Sequence, residues 1–362
     1  MTERDVAQLE ALYAGRSIYQ GELHDHANTG GTSDGGRTLE HWKGALEAQE
    51  MDFAAILDHK QVRHMYLPEW DNTIFIGGTE PGAEVFKPSG EKLGTIHYNM
   101  IFSDPKQLEA LLEEFPEYEF TGGVEGHFGY PRFTKERLGE VIDAVKRHGG
   151  HFVFPHPSSM SYGSGKKYDS TADDWAIRDE IGIEVPYISL DRQETEENYE
   201  IWRHLLRKGK RMWVSAGGDL HGCAHDWALT SIYAEEKTSA CFIKHLRQGD
   251  YTAGPVGIRM CIGETLMGGK CDFTRQRLVI GVGKFHKSVR NVEHQYRLDV
   301  WADEEIVYSR EISCQEPTYV ALRAEDHKFY RVEVYDITRN LRLALGNPIW
   351  NTKYLGQLAS TQ

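Results

Sequence analysis

Short apolar runs that end on a histidine or an acid constrain this chain more than any other feature. They alternate with stretches of helical periodicity over the first two-thirds of the sequence, the pattern of βα units around a parallel sheet or barrel. The run 17–23 leads into His24-Asp25-His26; 53–57 ends on Asp58-His59; 73–76 ends on Gly77-Gly78-Thr79-Glu80. A fourth run, 95–102, carries His97 within it. Residues 151–154 lead to Pro155-His156-Pro157, 183–185 follow, and 211–215 lead to Asp219-Leu220-His221. Helices are expected at 38–50, 105–114, 134–148, 196–208 and 239–248, where apolar residues recur at helical spacing. In such folds the carboxyl ends of the strands converge on one face, the usual place for chemistry. Scattered histidines have no reason to collect there.

Residues two apart in a strand share a face, so His24 and His26 present two imidazoles side by side. Paired imidazoles suit a divalent ion, and Asp34 follows in a glycine-rich loop (TGGTSDGG) able to curl back over the same strand end. A lone H-x-H is weak evidence, so the remaining motifs decide.

The formal charge of −14 argues against general binding to a nucleic-acid backbone, which needs clustered Lys and Arg. Bound cations would offset part of that charge locally, so an anionic substrate fits. No apolar run approaches the ~20 residues of a spanning helix. The first residues, MTERDVAQLEALYAGRS, hold acids and no apolar segment of the secretory kind. Cys223, Cys241, Cys261, Cys271 and Cys314 follow no CxxC spacing and are odd in number, so the expectation is a reducing, cytoplasmic setting. Neither a G-x-S-x-G elbow nor a P-loop occurs, which disfavours serine nucleophiles and nucleoside triphosphates.

Beyond about residue 257 helical periodicity gives way to strand-like runs at 277–282, 296–301, 306–312, 318–322 and 329–335 with polar turns between them. The expectation is a metal-binding α/β unit over 1–256 and an all-β, sandwich-like module over 257–362.

The segments ELHDHANTGGTSDGG, AAILDHK, FIGGTE, TIHYNMIF, FVFPHP and SAGGDLHG resemble, in order and in placement, the successive motifs of the PHP (polymerase and histidinol phosphatase) metal-dependent phosphoesterases. The resemblance spans about residues 17–225. The trailing β module and GNPIW are similar to the CehA/McbA-type branch. The resemblance implies a distorted seven-stranded (β/α) TIM-like barrel holding two or three divalent ions (Zn, Mn or Fe). It implies that His24, His26, Glu80 and Asp219 hold the first ion. Glu80 then bridges to a second, completed by His97 and His156, and Asp34, His59 and His221 hold the third. Glu84 competes with Glu80 for the bridging role; the strand leading straight to Glu80 favours the latter. Closely spaced ions would acidify a bridging water into hydroxide and polarise a phosphoryl or acyl oxygen.

Asp58 is a candidate to orient His59 from behind. Lys60, Arg63 and Arg192, with Lys166 and Lys167, are loop cations that could meet an anionic substrate, although such residues are usually just solvated. His64 and His127 sit in loops that could meet substrate but read first as surface histidines, Glu184 as an inward polar residue rather than a ligand, and Trp70, Phe128 and Tyr130 as pocket-mouth or core aromatics. The leading functional expectation is hydrolysis of a small-molecule phosphate mono- or diester, with no nucleic-acid or membrane partner. A carbamate or carboxyl-ester hydrolase and a non-catalytic metal-binding module are the alternatives.

Overall fold

The computed structural model describes residues 2–159, 161–162, 172–222 and 228–358. The expected runs become strands β1 (Ser17–Asp25), β2 (Phe53–Ile56), β3 (Phe75–Thr79), β4 (Asn99–Phe102), β5 (His151–Phe154), β6 (Ile181–Tyr187) and β7 (Met212–Gly217). They lie side by side in chain order within one large mixed sheet. At its carboxyl rim the series turns back on itself. The N–H of Asp219 donates to the carbonyl of His24 (2.7 Å), and that of His26 to the carbonyl of Leu220 (2.9 Å), making one parallel bridge between Asp25 and Leu220.

Not every strand of the series is parallel. β4 runs antiparallel to both β3 and β5. The single run expected over 95–102 is two strands: Lys92–His97 pairs in a hairpin with Gly82–Phe86 in a separate small sheet, and the chain bends at Tyr98 before β4 begins. Because β4 enters from the rim, its start and His97, two residues before it, lie beside the end of β3. The reversal therefore delivers His97 to the same place that a parallel strand would have reached with its last residue.

Threonines start the helices as the pattern requires. Thr38 caps α1 (Leu39–Gln49) and Thr134 caps α2 (Lys135–Arg147), each side chain accepting from the backbone N–H three residues on. Leu138, Val141, Ile142 and Val145 of α2 are buried against Phe152 and Phe154 of β5, at about 1.5–3 kcal/mol for each large side chain removed from water. The opposite face of the strands (Leu23, Phe53, Leu57, Ile76, Val153, Trp213) packs on Phe242, Ile243 and Leu246 of α3 (Ser239–Leu246). This second core lies toward the amino ends of the strands, and the histidines crown its other end.

Beyond β1 the sheet continues through β8 (Thr230–Ala234), antiparallel to β1, then β9 (Tyr251–Ala253), and on to Leu341–Gly346, Phe329–Asp336, Tyr296–Ala302 and Glu305–Ile312. A four-stranded sheet containing Val256–Ile262, Arg277–Phe285 and Thr318–Arg323 covers that extension. Ile258, Ile280, Val300 and Val332 fill the layer between the two sheets. No helix among the described residues is long and apolar enough to cross a membrane.

Candidate metal centre

The nine side chains expected as ligands lie in one patch of the rim, in three overlapping groups: His24, His26, Glu80 and Asp219; Glu80, His97 and His156; and His26, Asp34, His59 and His221. His24, His26 and Glu80 are buried, and Asp34 and His221 form the exposed side.

Glu80 is the hinge of the arrangement. Its Oε2 lies 3.2 Å from His24 Nε2 and 3.2 Å from His26 Nε2. Its Oε1 lies 2.9 Å from His97 Nδ1 and 3.2 Å from His156 Nε2. Asp219 Oδ1 completes the first group, 3.1 Å from His26 Nε2 and 3.6 Å from His24 Nε2. Asp34 Oδ2 faces His59 Nε2 at 3.5 Å and His221 Nε2 at 3.2 Å. Around a tetrahedral ion with bonds of about 2.0–2.2 Å the ligand atoms sit about 3.3–3.6 Å apart, so most of these pairs need to open by only a few tenths of an ångström to hold one.

Hydrogen bonds behind the rings fix which nitrogen faces inward. His59 Nδ1–H donates to the carbonyl of Glu80 (2.8 Å), and His221 Nδ1–H to that of Asp219 (3.0 Å). His24 Nδ1 pairs with Glu184 Oε1 (3.3 Å), and His156 Nδ1 with Ser159 Oγ (2.8 Å). In each case Nε2 is left as a lone pair aimed at carboxylate oxygens. His24 Nε2 is buried with no hydrogen-bond partner. Acceptor facing acceptor is unfavourable unless a positive charge sits between them, and the electrostatics agree. Burial pulls the His26 pKa down, but hydrogen bonds to Asp219 and Glu80 outweigh it and raise it to about 9. Burial likewise pushes Glu80 up, yet the surrounding imidazoles, led by His24 and His97, hold it well below the usual carboxylate range. The donor set fits divalent ions.

The backbone bends to build this. Asp219 and His156 both adopt left-handed φ values, +50° and +31°, a conformation uncommon outside glycine. Gly217 precedes Asp219 because a Cβ there would lie 2.2 Å from Glu184 Oε1 and 2.5 Å from His24 Cβ.

No protein-family model matches the chain, and no curated protein does. Solved structures with some likeness include an amidohydrolase from Chromobacterium violaceum (18% identity, 56% of this chain and 87% of that one, TM-score 0.39). An Endonuclease Q complexed with an abasic duplex is 14% identical over 64% of this chain and 57% of its own, TM-score 0.40. A metal-dependent phosphoesterase described as putative, from Bifidobacterium adolescentis, is 16% identical over 56% of this chain and 88% of its own, TM-score 0.35.

Several side chains sit elsewhere than the spacing suggests. Asp58 does not back His59. Its carboxylate accepts from the N–H of Ala27 (2.8 Å), Thr29 Oγ1 and Gln61 Nε2 (3.3 Å), and so pins the glycine-rich loop. His64 is buried rather than on the surface, because it lies against Trp70 beneath the loop; His127 is exposed. Phe128 is core, and Trp70 packs on Phe75 away from the rim. Glu84 is bound to Lys92 and Arg132 on the hairpin and is absent from all three groups. Arg63 pairs with Glu125 (2.9 Å) and Arg192 with Glu194 (3.1 Å), whereas Lys60 lies over the exposed ring of Tyr130. Lys166 and Lys167 fall outside the described residues.

Tyr187 escapes the sequence reading, and Glu184, read there only as an inward polar residue, does more than that. Tyr187 donates its hydroxyl to Asp219 Oδ2 (2.9 Å), with its ring 5.1 Å from that of His156. Glu184, besides meeting His24, accepts the backbone N–H of His156 (2.9 Å). Both lie on β6, whose carboxyl end extends two residues beyond the apolar run that marks it.

Proposed function

We propose that this chain is a metal-dependent hydrolase of PHP type that cleaves a phosphate mono- or diester of a small molecule. The observation that carries the reading is the divided Glu80 carboxylate, one oxygen facing each of two imidazole groups. His24, His26, Glu80 and Asp219 would hold one divalent ion, Glu80, His97 and His156 a second, and Asp34, His59 and His221 a third. Two or three such ions (zinc, manganese or iron) supply Lewis acidity toward water and toward a phosphoryl oxygen. The protein's own part is positioning. Tyr187 and the backbone N–H of Asp219 hold the Asp219 carboxylate still, and Glu184 locks His24 and the His156 loop to one strand. Lys60, with no ion pair of its own among the described residues, is placed to meet the outer charge of an anionic substrate.

The net charge of −14 favours a small anion over a polynucleotide as the substrate. The barrel closure, the division at 256/257 and the CehA/McbA-like branch belong to the same proposal and rest on the sequence motifs and the strand order.

The test is turnover by metal-verified protein on model phosphate monoesters, phosphate diesters, carboxyl esters and carbamates. Chelator-sensitive phosphate release is expected. Turnover confined to carboxyl esters or carbamates would move the reaction to carbon. Metal content without turnover on any of these substrates would leave a binding module.

A further inference from the structure

A second cluster of metal-ligand chemistry lies at the opposite end of the strands. β8 ends at Ala234, opposite Ser17 at the start of β1, and Glu235 is the next residue. Cys241 and His245 stand four residues apart on α3, and therefore on one face of it. Glu235 Oε2 lies 3.3 Å from Cys241 Sγ and 2.9 Å from His245 Nε2, and one ligand atom from each residue lies within 4.8 Å of the others.

We propose that Glu235, Cys241 and His245 form a separate metal site, selective for a thiophilic divalent ion such as zinc, which ties α3 to the end of β8.

Three features support it. The carboxylate is divided by role: Oε1 takes the cations Lys244 (3.2 Å) and Arg16 (3.4 Å), while Oε2 is turned to sulfur and nitrogen. Asp250 Oδ2 stands 3.6 Å behind His245 Nδ1, beyond hydrogen-bond distance, so it places negative charge behind the ring without a direct bond to it. A negative charge on that side of the ring favours a cation on its Nε2 side. Asp250 is itself held by Tyr13 Oη (2.9 Å) and Arg16 Nη1 (2.6 Å), so the support is rigid. Finally, His245 is completely buried while Cys241 and Glu235 reach the surface, leaving a side open for the ion and a fourth, water ligand.

Selectivity follows from charge. Lys244 and Arg16 already balance Glu235 and Asp250, so a hard ion held by oxygen alone gains little here. A thiolate bond is what makes binding favourable, and it discriminates against magnesium and calcium. The consequence is mechanical. α3 carries Phe242, Ile243 and Leu246 into the apolar core beneath the candidate metal centre, and an ion on its first two turns would clamp that plug to the sheet.

Cobalt substitution of the metal-free full-length chain separates this site from the main one, whose described ligands are nitrogen and oxygen alone. The expected result is a near-ultraviolet thiolate-to-cobalt charge-transfer band that saturates with one ion. The band should vanish in Cys241→Ser and persist in Cys223→Ser, with the visible absorption of the main centre kept in both. Absence of the band, or its survival in Cys241→Ser, would overturn the proposal. Should Cys241→Ser fail to fold, alkylation of Cys241 in the native chain decides. One equivalent of zinc beyond the main centre's content should slow it at least tenfold, and an unchanged rate would overturn the site.

Discussion

At the scale of single residues the account turns on Glu80. A carboxylate that serves two groups should be harder to replace than any histidine serving one. Glu80→Gln is expected to lose about two metal ions per chain, and His97→Ala or His156→Ala about one, by elemental analysis. Glu84→Gln should lose none, since its carboxylate is occupied by Lys92; loss there instead of at Glu80 would reverse the assignment. The ligand-type residues were legible because strand ends make them recur beside apolar runs. What stands behind them was not. Whether Asp58 supports His59 or a loop, and whether Glu184 meets His24, depends on side-chain directions that spacing does not encode. A second residue makes a pH prediction. Burial, then the charges of Lys146 and Arg247, lower the His151 pKa from 6.5 to about 3. The folded value lies below the unfolded one, so this term is intact above about pH 6.5. Stability is lost as pH falls toward about 3, by a few kcal/mol in all. His151→Phe, which keeps the ring against Trp213, should flatten that part of the stability-versus-pH curve in denaturant titrations. An unchanged slope would show that His151 ionises freely in the folded state.

At the scale of elements, the helices that begin at Thr38 and Thr134 were clear because those threonines mark their starts chemically, whereas the helix Glu3–Leu12 was not expected. The fourth strand misled because no glycine or proline interrupts 95–102. Ile96 is buried in one sheet and Met100 in the next, so a continuous apolar run spans two elements. β8 and β9 were missed for a related reason: they are short, and their polar members Thr230, Ser231 and Thr252 are buried by hydrogen bonding rather than by apolar packing. The contact between β7 and β1 has its own test. Gly217→Ala would drive a methyl group into His24 and Glu184, costing about 1–3 kcal/mol of overpacking. The variant should fold, show a lower thermal midpoint and bind at least one ion fewer than the parent. Full metal content would mean that the two strands can part without disturbing His24.

At the scale of the molecule, one sheet runs from the candidate metal centre into the C-terminal β layers, so the rim histidines are held by a framework larger than the α/β part alone. Nine side chains spread between residues 24 and 221 meet on that framework, and the chemistry proposed for the chain depends on cations being caged among them. Anomalous diffraction at a metal absorption edge, from crystals of the metal-loaded chain, tests this most directly. The account predicts two or three peaks at the rim, with one within bonding distance of each Glu80 oxygen. Peaks lying away from Glu80, or none at the rim, would contradict it.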